Sequence, residues 1–281
     1  MRAESVAPCR CAVTERADLR LGRWQDVLSD VECDTLIVDA PYSERTHVGQ
    51  RHGRRPSDRH ACAQDTYVSA RGLSYSSLSL ADVREFVASW SPRVRGWFVS
   101  ITDSGLAPTW KAALAAHGRT VFAALPCVQV GMNVRLAGDG PSNWTVWAIV
   151  ARPKSLARWG TLRGAYVGNA FDAGQNTATA TRRRSVVGSK PLWLMRALVR
   201  DYSRPGDIVC DPCVGSGTTL LAALTEGRRA VGAEMDPAHY ECARKRLAKG
   251  YTPPLFADSS AAQQEQIEMP GMAHRGRDGD E

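Results

Sequence analysis

Apolar runs that each end in an acidic residue recur along the chain. Residues 35–38 (TLIV), 96–102 (GWFVSIT), 208–210 (IVC) and 229–233 (RAVGA) are followed by Asp39, Asp103, Asp211 and Glu234. Runs of this length and composition are typical of strands buried in a parallel sheet. Stretches with the apolar spacing of helices alternate with them, and Ser79 is placed to cap one such helix. The alternation predicts an α/β fold with a doubly wound sheet.

Two later strands are predicted over residues 121–130 and 145–150, joined by a loop that contains glycine and proline. Consecutive strands joined in this way pair antiparallel. We therefore expect a mostly parallel sheet with a late antiparallel hairpin.

The stretch IVCDPCVGSGTT, residues 208–219, predicts a ligand-binding turn. An apolar strand leads into glycines, which let a ligand approach the backbone, and a helix start follows, which offers unpaired N–H groups. The stretch lacks the lysine of a P-loop and the full GxGxxG spacing of dinucleotide folds. An acid at the end of its strand suits a positively charged ligand.

The stretch DAPY, residues 39–42, follows a buried strand and offers groups that could hold a planar amine. Asp39 and the carbonyl of Ala40 can accept hydrogen bonds from an amine, and Pro41 stiffens the direction of that carbonyl. Tyr42 supplies a flat face for stacking. Taken alone, the stretch is equally consistent with an ordinary strand end followed by a turn.

Together, DAPY and DPCVGSGTT (residues 211–219) resemble the two signature motifs of the amino-group DNA methyltransferases, which act on adenine N6 or cytosine N4. The catalytic motif comes first and the cofactor motif last, as in the circularly permuted beta group of that family. The resemblance extends from about residue 19 to residue 249. It implies a Rossmann-like methyltransferase sheet and S-adenosyl-L-methionine as cofactor.

The resemblance also assigns the site. The catalytic residues implied are Asp39, Ala40, Pro41 and Tyr42. The cofactor-binding residues implied are Lys190, Asp211, Pro212, Gly215, Ser216, Gly217, Thr218, Glu234 and Met235. The acid of Glu234 suits the two hydroxyls of a ribose, and Met235 could pack on adenine. Asp103 ends another strand at the same predicted edge.

Two basic segments are candidate DNA contacts. Residues 43–73 follow the stacking tyrosine, and residues 152–187 occupy the place of the target-recognition region in the beta group. Arginines suit phosphates and guanine edges. The candidates are Arg45, Arg51, Arg54, Arg55, Arg59, Arg182, Arg183 and Arg184. A solvated basic loop and a flexible connector are the respective alternatives.

The predicted organisation is one methyltransferase domain between two loose ends. It comprises a leader (1–18), a catalytic half (19–151) with its basic loop (43–73), a target-recognition segment (152–187), a cofactor half (188–250) and a disordered tail (251–281). The tail is polar and punctuated by proline and glycine.

Composition is consistent with this organisation. The chain has 281 residues, 43% of them hydrophobic, and a net charge of +7, which favours a polyanionic partner. Its longest uncharged stretch, residues 120–134, is shorter than the roughly 20 residues of a membrane span. The eight cysteines are scattered and no secretory signal is present, so we expect reduced thiols, a cytoplasmic location and no membrane partner.

Metal binding is weighed at two places and not predicted at either. Cys210 and Cys213 have CxxC spacing but fall inside the glycine turn, and no second ligand pair follows them. Cys9 and Cys11 could join His60 and Cys62 at a zinc ion, but reduced thiols are the simpler interpretation.

Three positions depart from the family pattern. Ala40 stands where the family usually has proline, and Cys213 where phenylalanine is common. Gly22-Arg23 replaces a Gly-Asp pair whose acid helps to hold the cofactor adenine, so that contact is in doubt.

The predicted activity is methyl transfer from S-adenosyl-L-methionine to the exocyclic amine of a base flipped out of double-stranded DNA. Family usage links Asp in the first motif position more to adenine N6, and Ser more to cytosine N4. Cytosine N4, RNA or a protein amide are alternative acceptors, and a catalytically silent DNA-binding protein is the non-enzyme alternative. A homodimer and a cognate restriction nuclease are further partners consistent with the resemblance.

Overall fold

A computed structural model describes residues 10–44, 46, 76–131, 143–157, 159–169 and 189–250. In these parts of the chain, ten strands form one sheet. They are β1 (Arg10–Thr14), β2 (Ala17–Leu21), β3 (Thr35–Asp39), β4 (Phe98–Thr102), β5 (Arg119–Val121), β6 (Leu125–Val130), β7 (Thr145–Pro153), β8 (Tyr166–Asn169), β9 (Ile208–Asp211) and β10 (Arg229–Glu234).

Helices connect the strands at the positions where apolar spacing predicted them. They are α1 (Trp24–Val27), α2 (Leu80–Trp90), α3 (Ala107–Ala116), α4 (Leu192–Tyr202), α5 (Thr218–Thr225) and α6 (Pro237–Lys249), with a 3-10 turn at Ser91–Arg93. Ser79 caps α2 as predicted, because its hydroxyl accepts from the Asp82 N–H while the Asp82 carboxylate accepts from the Ser79 N–H.

The strand order is β1-β2-β10-β9-β3-β4-β7-β6-β8, with β5 also paired to β7. The pairs from β2 through β4 are parallel, and β7 runs antiparallel to both β4 and β6. The predicted mostly parallel sheet with a late antiparallel hairpin is confirmed.

Each face of the sheet is covered by a separate core. On one face, α4, α5 and α6 pack through residues such as Leu194, Leu198 and Leu221. On the other, α2 and α3 contribute an aromatic cluster in which the rings of Phe86 and Trp110 lie 5.5 Å apart. Helices on both faces of one sheet make the fold doubly wound, as predicted.

The pair of β3 and β9 joins the two halves of the chain. Thr35 pairs with Val209 and Leu36 with Cys210 in parallel register. The Asp34 carboxylate also accepts from the Ile208 N–H at 2.8 Å. Because the strands are parallel neighbours, the motifs that follow them emerge at the same sheet edge.

Two expectations about organisation differ from the structure. Residues 10–14 form β1 and residue 17 begins β2, where a loose leader was expected, because pairing with β2 provides β1 with hydrogen-bond partners. The strand expected over residues 121–130 is two strands, β5 and β6, which pair with different parts of β7. The predicted tail lies outside the described residues.

Part of the predicted target-recognition segment, residues 152–187, belongs to the core. The indole N–H of Trp159 donates to the Asp201 carbonyl at 2.7 Å, and the Tyr166 hydroxyl donates to the Asp201 carboxylate at 2.7 Å. Through Asp201, these hydrogen bonds tie both aromatic residues to α4. Among the described residues, no helix has the length and hydrophobicity required to span a membrane.

Gly232 lies where β10 passes closest to the predicted ligand-binding turn. A Cβ atom there would lie 2.4 Å from Cγ2 of Val214 and 2.6 Å from the Asp211 carbonyl oxygen. We expect Gly232→Ala to destabilise the protein by about 1–3 kcal/mol, since this space is already filled. Urea unfolding measures the change.

Gly164→Ala is the matched control, because a Cβ there meets no heavy atom within 4 Å. It should change the free energy of unfolding by less than about 0.5 kcal/mol. Equal stabilities for the two variants would contradict the close approach at Gly232.

Candidate active site

A cavity of about 710 Å³ opens at the carboxyl ends of β2, β3, β9 and β10. Most of the residues that the sequence assigned to the site line it. They are Asp39, Ala40, Pro41, Lys190, Asp211, Pro212, Gly215, Ser216, Thr218, Glu234 and Met235. Tyr42 and Gly217 are adjacent in sequence to lining residues. Both predicted motifs therefore border one cavity.

The glycine turn needs its glycines for backbone geometry. Gly215 and Gly217 have φ of +54° and +84°, a region that L side chains rarely adopt. Gly217 caps α5, and a Cβ there would lie 3.1 Å from Cβ of Ala243. The Gly215 N–H donates to the Glu234 carboxylate at 2.7 Å, so the turn is tied to the end of β10.

Arg246 of α6 supports the turn from behind, which the sequence did not reveal. Its guanidinium donates to the Thr218 hydroxyl at 2.8 Å and to the Ser216 hydroxyl at 3.2 Å. Arg246 lies far from the turn in sequence, so only the packing of α6 on the turn brings it there.

Two buried carboxylates shape the charge of the cavity. Asp211 is 1% exposed, and burial raises its pKa to about 7; Thr219 and the Cys213 N–H oppose the shift, whereas the negative charges of Asp39 and Glu234 add to it. Burial also raises the pKa of Glu234, although the N–H groups of Asp236 and Gly215 oppose the shift. A cationic ligand would stabilise the ionised form of both acids.

Asp39 is bound on both of its oxygens. Lys190 donates to Oδ2 at 2.7 Å, and the Tyr42 hydroxyl donates to Oδ1 at 3.2 Å. The Lys190 ammonium also lies 4.9 Å from the centre of the Tyr42 ring, within reach of a cation–π contact. Burial, followed by the charge of Asp39, raises the pKa of Tyr42. Lys190, assigned by sequence to the cofactor, therefore contacts the catalytic motif.

Other lining residues were missed by sequence reasoning. Trp24 and Phe86 form one wall, with their rings 5.1 Å apart, and Arg23 lines the cavity beside them. Trp24 could have been found from its place just after Gly22-Arg23, where the family pattern places a cofactor contact. Leu78 also lines the cavity, and nothing in the sequence around it indicates this role.

The eight arginines assigned to DNA all lie outside the described residues, so that assignment stays a prediction. Of the residues weighed as zinc ligands, Cys11 lies in β1, whereas Cys9, His60 and Cys62 lie outside the described residues. In the described ranges no group of three or more His, Cys, Asp or Glu side chains is arranged to hold a metal ion.

Known proteins similar to this chain are DNA methyltransferases. A family model described as DNA methylase, of the N6/N4 methyltransferase class, matches residues 146–245. The type II methyltransferase M.HindIII of Haemophilus influenzae is 37% identical over 93 residues, which are 33% of this chain and 29% of that protein. Over these residues the chain is similar to amino-group DNA methyltransferases. It matches less than a third of the length of the curated relatives.

Solved structures of DNA methyltransferases share the fold of this chain. The complex of M1.HpyAVI with SAM has a TM-score of 0.58 at 19% identity, covering 82% of this chain and 98% of that one. The cytosine-N4-specific PvuII DNA methyltransferase has a TM-score of 0.55 at 12% identity, covering 89% and 91%. The chain therefore has the Rossmann-like methyltransferase fold.

The raised pKa of Asp211 gives a prediction about the stability of this protein. An acid whose pKa is higher in the folded than in the unfolded protein stabilises the fold at low pH, and the contribution is lost as pH rises. The free energy of unfolding without ligand should therefore fall between about pH 4 and pH 7, by up to about 4 kcal/mol from Asp211.

Asp211→Asn isolates this contribution, because the amide keeps an acceptor for the Cys213 N–H. The difference in unfolding free energy between variant and wild type, measured by urea titration at pH 5 and pH 8, should shift in favour of the variant at the higher pH. A difference independent of pH would contradict the raised pKa.

Proposed function

We propose that the protein transfers the methyl group of S-adenosyl-L-methionine to the exocyclic amine of a base in double-stranded DNA, with adenine N6 favoured. The observation that carries the proposal is the meeting of Asp39 and Asp211 at one cavity. One ends the strand of the amine-binding motif and the other ends the strand of the glycine turn. A methyl donor and a methyl acceptor bound at these two ends would be neighbours.

The proposed cofactor matches the charge and shape of the glycine-turn side. S-adenosylmethionine carries an ammonium and a sulfonium, and both would relieve the unfavourable burial of Asp211. Glu234 ends β10, where an acid can accept from two ribose hydroxyls. Met235 beside it is 59% exposed, and an adenine ring could cover it. The bound cofactor would supply an electrophilic methyl group.

The proposed acceptor matches the groups at the end of β3. Asp39 and the Ala40 carbonyl would accept from the two hydrogens of an exocyclic amine, with the ring stacked on Tyr42. Held in this way, the nitrogen would face the side of the cavity where the cofactor would supply its methyl group. Asp39, which holds the amine, is placed to accept the proton that the nitrogen gives up when it is methylated. The protein's contribution is mainly positioning.

Lys190 would link the two sides. Its ammonium holds Oδ2 of Asp39, so that Oδ1, which accepts from the Tyr42 hydroxyl, keeps a second lone pair for the amine. Because Lys190 also lines the cavity, its ammonium would be available to the carboxylate of the proposed cofactor. A base stacked on Tyr42 would use the ring face away from Lys190.

Adenine is favoured by the residue type at Asp39. Family usage associates Asp in this position with adenine N6, whereas the fold is shared with a cytosine-N4-specific enzyme. The exocyclic amines of the two bases present the same pair of hydrogens, so both are compatible with the acceptors at Asp39 and Ala40.

Methyl transfer tests the proposal directly. With tritiated S-adenosylmethionine, the wild type should label unmethylated duplex genomic DNA and not RNA or protein, and methylation-sensitive sequencing should report N6-methyladenine. Asp39→Asn should lower kcat by about 100-fold or more while cofactor affinity, measured by calorimetry, is retained.

Asp207→Asn is the control for the loss of a carboxylate. Asp207 precedes β9 at the opposite sheet edge, and an amide oxygen can still accept from the Arg204 N–H. Full transfer by Asp39→Asn, or label in RNA or protein alone, would contradict the proposal.

Two substitutions of Tyr42 separate the contribution of its ring, through base stacking, from that of its hydroxyl, through the hydrogen bond to Asp39. Tyr42→Phe keeps the ring and removes the hydroxyl bond to Asp39, so kcat/KM for DNA should stay within about threefold of wild type. Tyr42→Ala should lower it by about 5- to 150-fold, which corresponds to 1–3 kcal/mol of base stacking. Equal losses in the two variants would argue against stacking on this ring.

A further inference from the structure

Asp103 lies one residue beyond β4, beside the catalytic motif. β4 pairs with β3 so that Ile101 lies opposite Asp39. The Asp103 residue is 9% exposed. Its Oδ2 accepts three hydrogen bonds, from the Ser43 N–H at 3.0 Å, the Ser43 hydroxyl at 2.5 Å and the Thr46 hydroxyl at 2.6 Å. All three donors belong to the few residues that follow Tyr42.

The other oxygen of Asp103 holds the start of α3. Oδ1 accepts from the Leu106 N–H at 2.9 Å, and the Asp103 carbonyl accepts from the Ala107 N–H. Burial raises the pKa of Asp103, but the hydrogen bonds from Ser43, Thr46 and Leu106 outweigh burial, and the pKa is lowered. The carboxylate is therefore charged at neutral pH, and charge-assisted hydrogen bonds are the stronger kind.

Tyr42 is held between two fixed points. The peptide after it is fixed by the bonds from Ser43 to Asp103, and its own carbonyl accepts from the Leu78 N–H at 3.1 Å. Gly105 leaves the space this arrangement needs, since a Cβ there would lie 3.3 Å from Oδ1 of Asp103 and 3.5 Å from the Ser43 hydroxyl. The direction of the Tyr42 ring thus depends on contacts outside its own motif.

We propose that Asp103 is a positioning residue for methyl transfer, which sets the plane of the Tyr42 ring by binding Ser43 and Thr46. The inference rests on the proposed function, because it assigns Asp103 to the capture of the target base. Asp103 acts through the residues after Tyr42 and touches neither base nor cofactor. Its loss therefore weakens the use of DNA and leaves cofactor binding intact.

Two variants separate this role from the capping of α3. Asp103→Asn removes the charge that both sides share. The double variant Ser43→Ala with Thr46→Val removes only hydroxyl donors on the tyrosine side and leaves the bond to the Leu106 N–H untouched. A role confined to α3 would be affected by the first variant alone.

The test measures kcat/KM for unmethylated genomic DNA, the dissociation constant of S-adenosylmethionine, and amide hydrogen exchange over residues 40–46. Asp103→Asn should lower kcat/KM about 10- to 100-fold and the double variant about 10-fold, with cofactor affinity within twofold of wild type. Combining all three substitutions should lower kcat/KM by less than the product of the separate losses. Exchange over residues 40–46 should be faster in both variants.

The proposal is overturned if the double variant matches wild type in kcat/KM and exchange, or if Asp103→Asn lowers only the melting temperature. Absence of methyl transfer by the wild type would instead refute the proposed function. In that case the exchange of residues 40–46 still decides whether Asp103 fixes the segment after Tyr42.

Discussion

Three carboxylates, Asp39, Asp211 and Glu234, share one sheet edge, and their mutual repulsion is the constraint on which the site depends. Each is supplied with donors: Lys190 binds Asp39, the Cys213 N–H binds Asp211, and the N–H groups of Gly215 and Asp236 bind Glu234. These hydrogen bonds do not fully offset burial and the repulsion between the carboxylates, because the pKa of Asp211 stays at about 7. The ligand-free fold thus stores unfavourable electrostatic energy that a cation can relieve, and part of the stability of the cavity is given up for affinity.

The parallel pair of β3 and β9 explains how motifs at opposite ends of the sequence form one site. Asp39 and Lys190 are separated by 151 residues, yet their side chains are 2.7 Å apart. A further hydrogen bond links the two halves of the chain at the start of β3, where the Thr35 hydroxyl donates to the carbonyl of Tyr202, the last residue of α4, at 2.7 Å. Because what matters is which strands are neighbours, the order of the two motifs along the chain is free to change while the site stays the same.

Features with a local cause were predictable from the sequence. The strands that lead to Asp39, Asp103, Asp211 and Glu234 are short apolar runs. The Ser79 cap depends on Asp82, three positions away. The closely spaced glycines of residues 215–217 favour a turn over a helix or strand. Features that depend on distant partners were not predictable. Nothing near Lys190 indicates Asp39, and nothing near Arg246 indicates Ser216 and Thr218. Trp159 and Tyr166 lie in the segment assigned to target recognition, and only their hydrogen bonds to Asp201 show that this part of the segment packs against α4.

The bond between the Leu78 N–H and the Tyr42 carbonyl brings the exit and the return of the intervening segment to the same residue. The two ends of a chain connection are therefore held together at Tyr42, and the free-energy cost of closing a connection grows only slowly with its length. Insertions and deletions between Tyr42 and Leu78 would then leave the geometry of the cavity edge unchanged. This junction is thus a point at which the chain can vary without a change to the residues of the site.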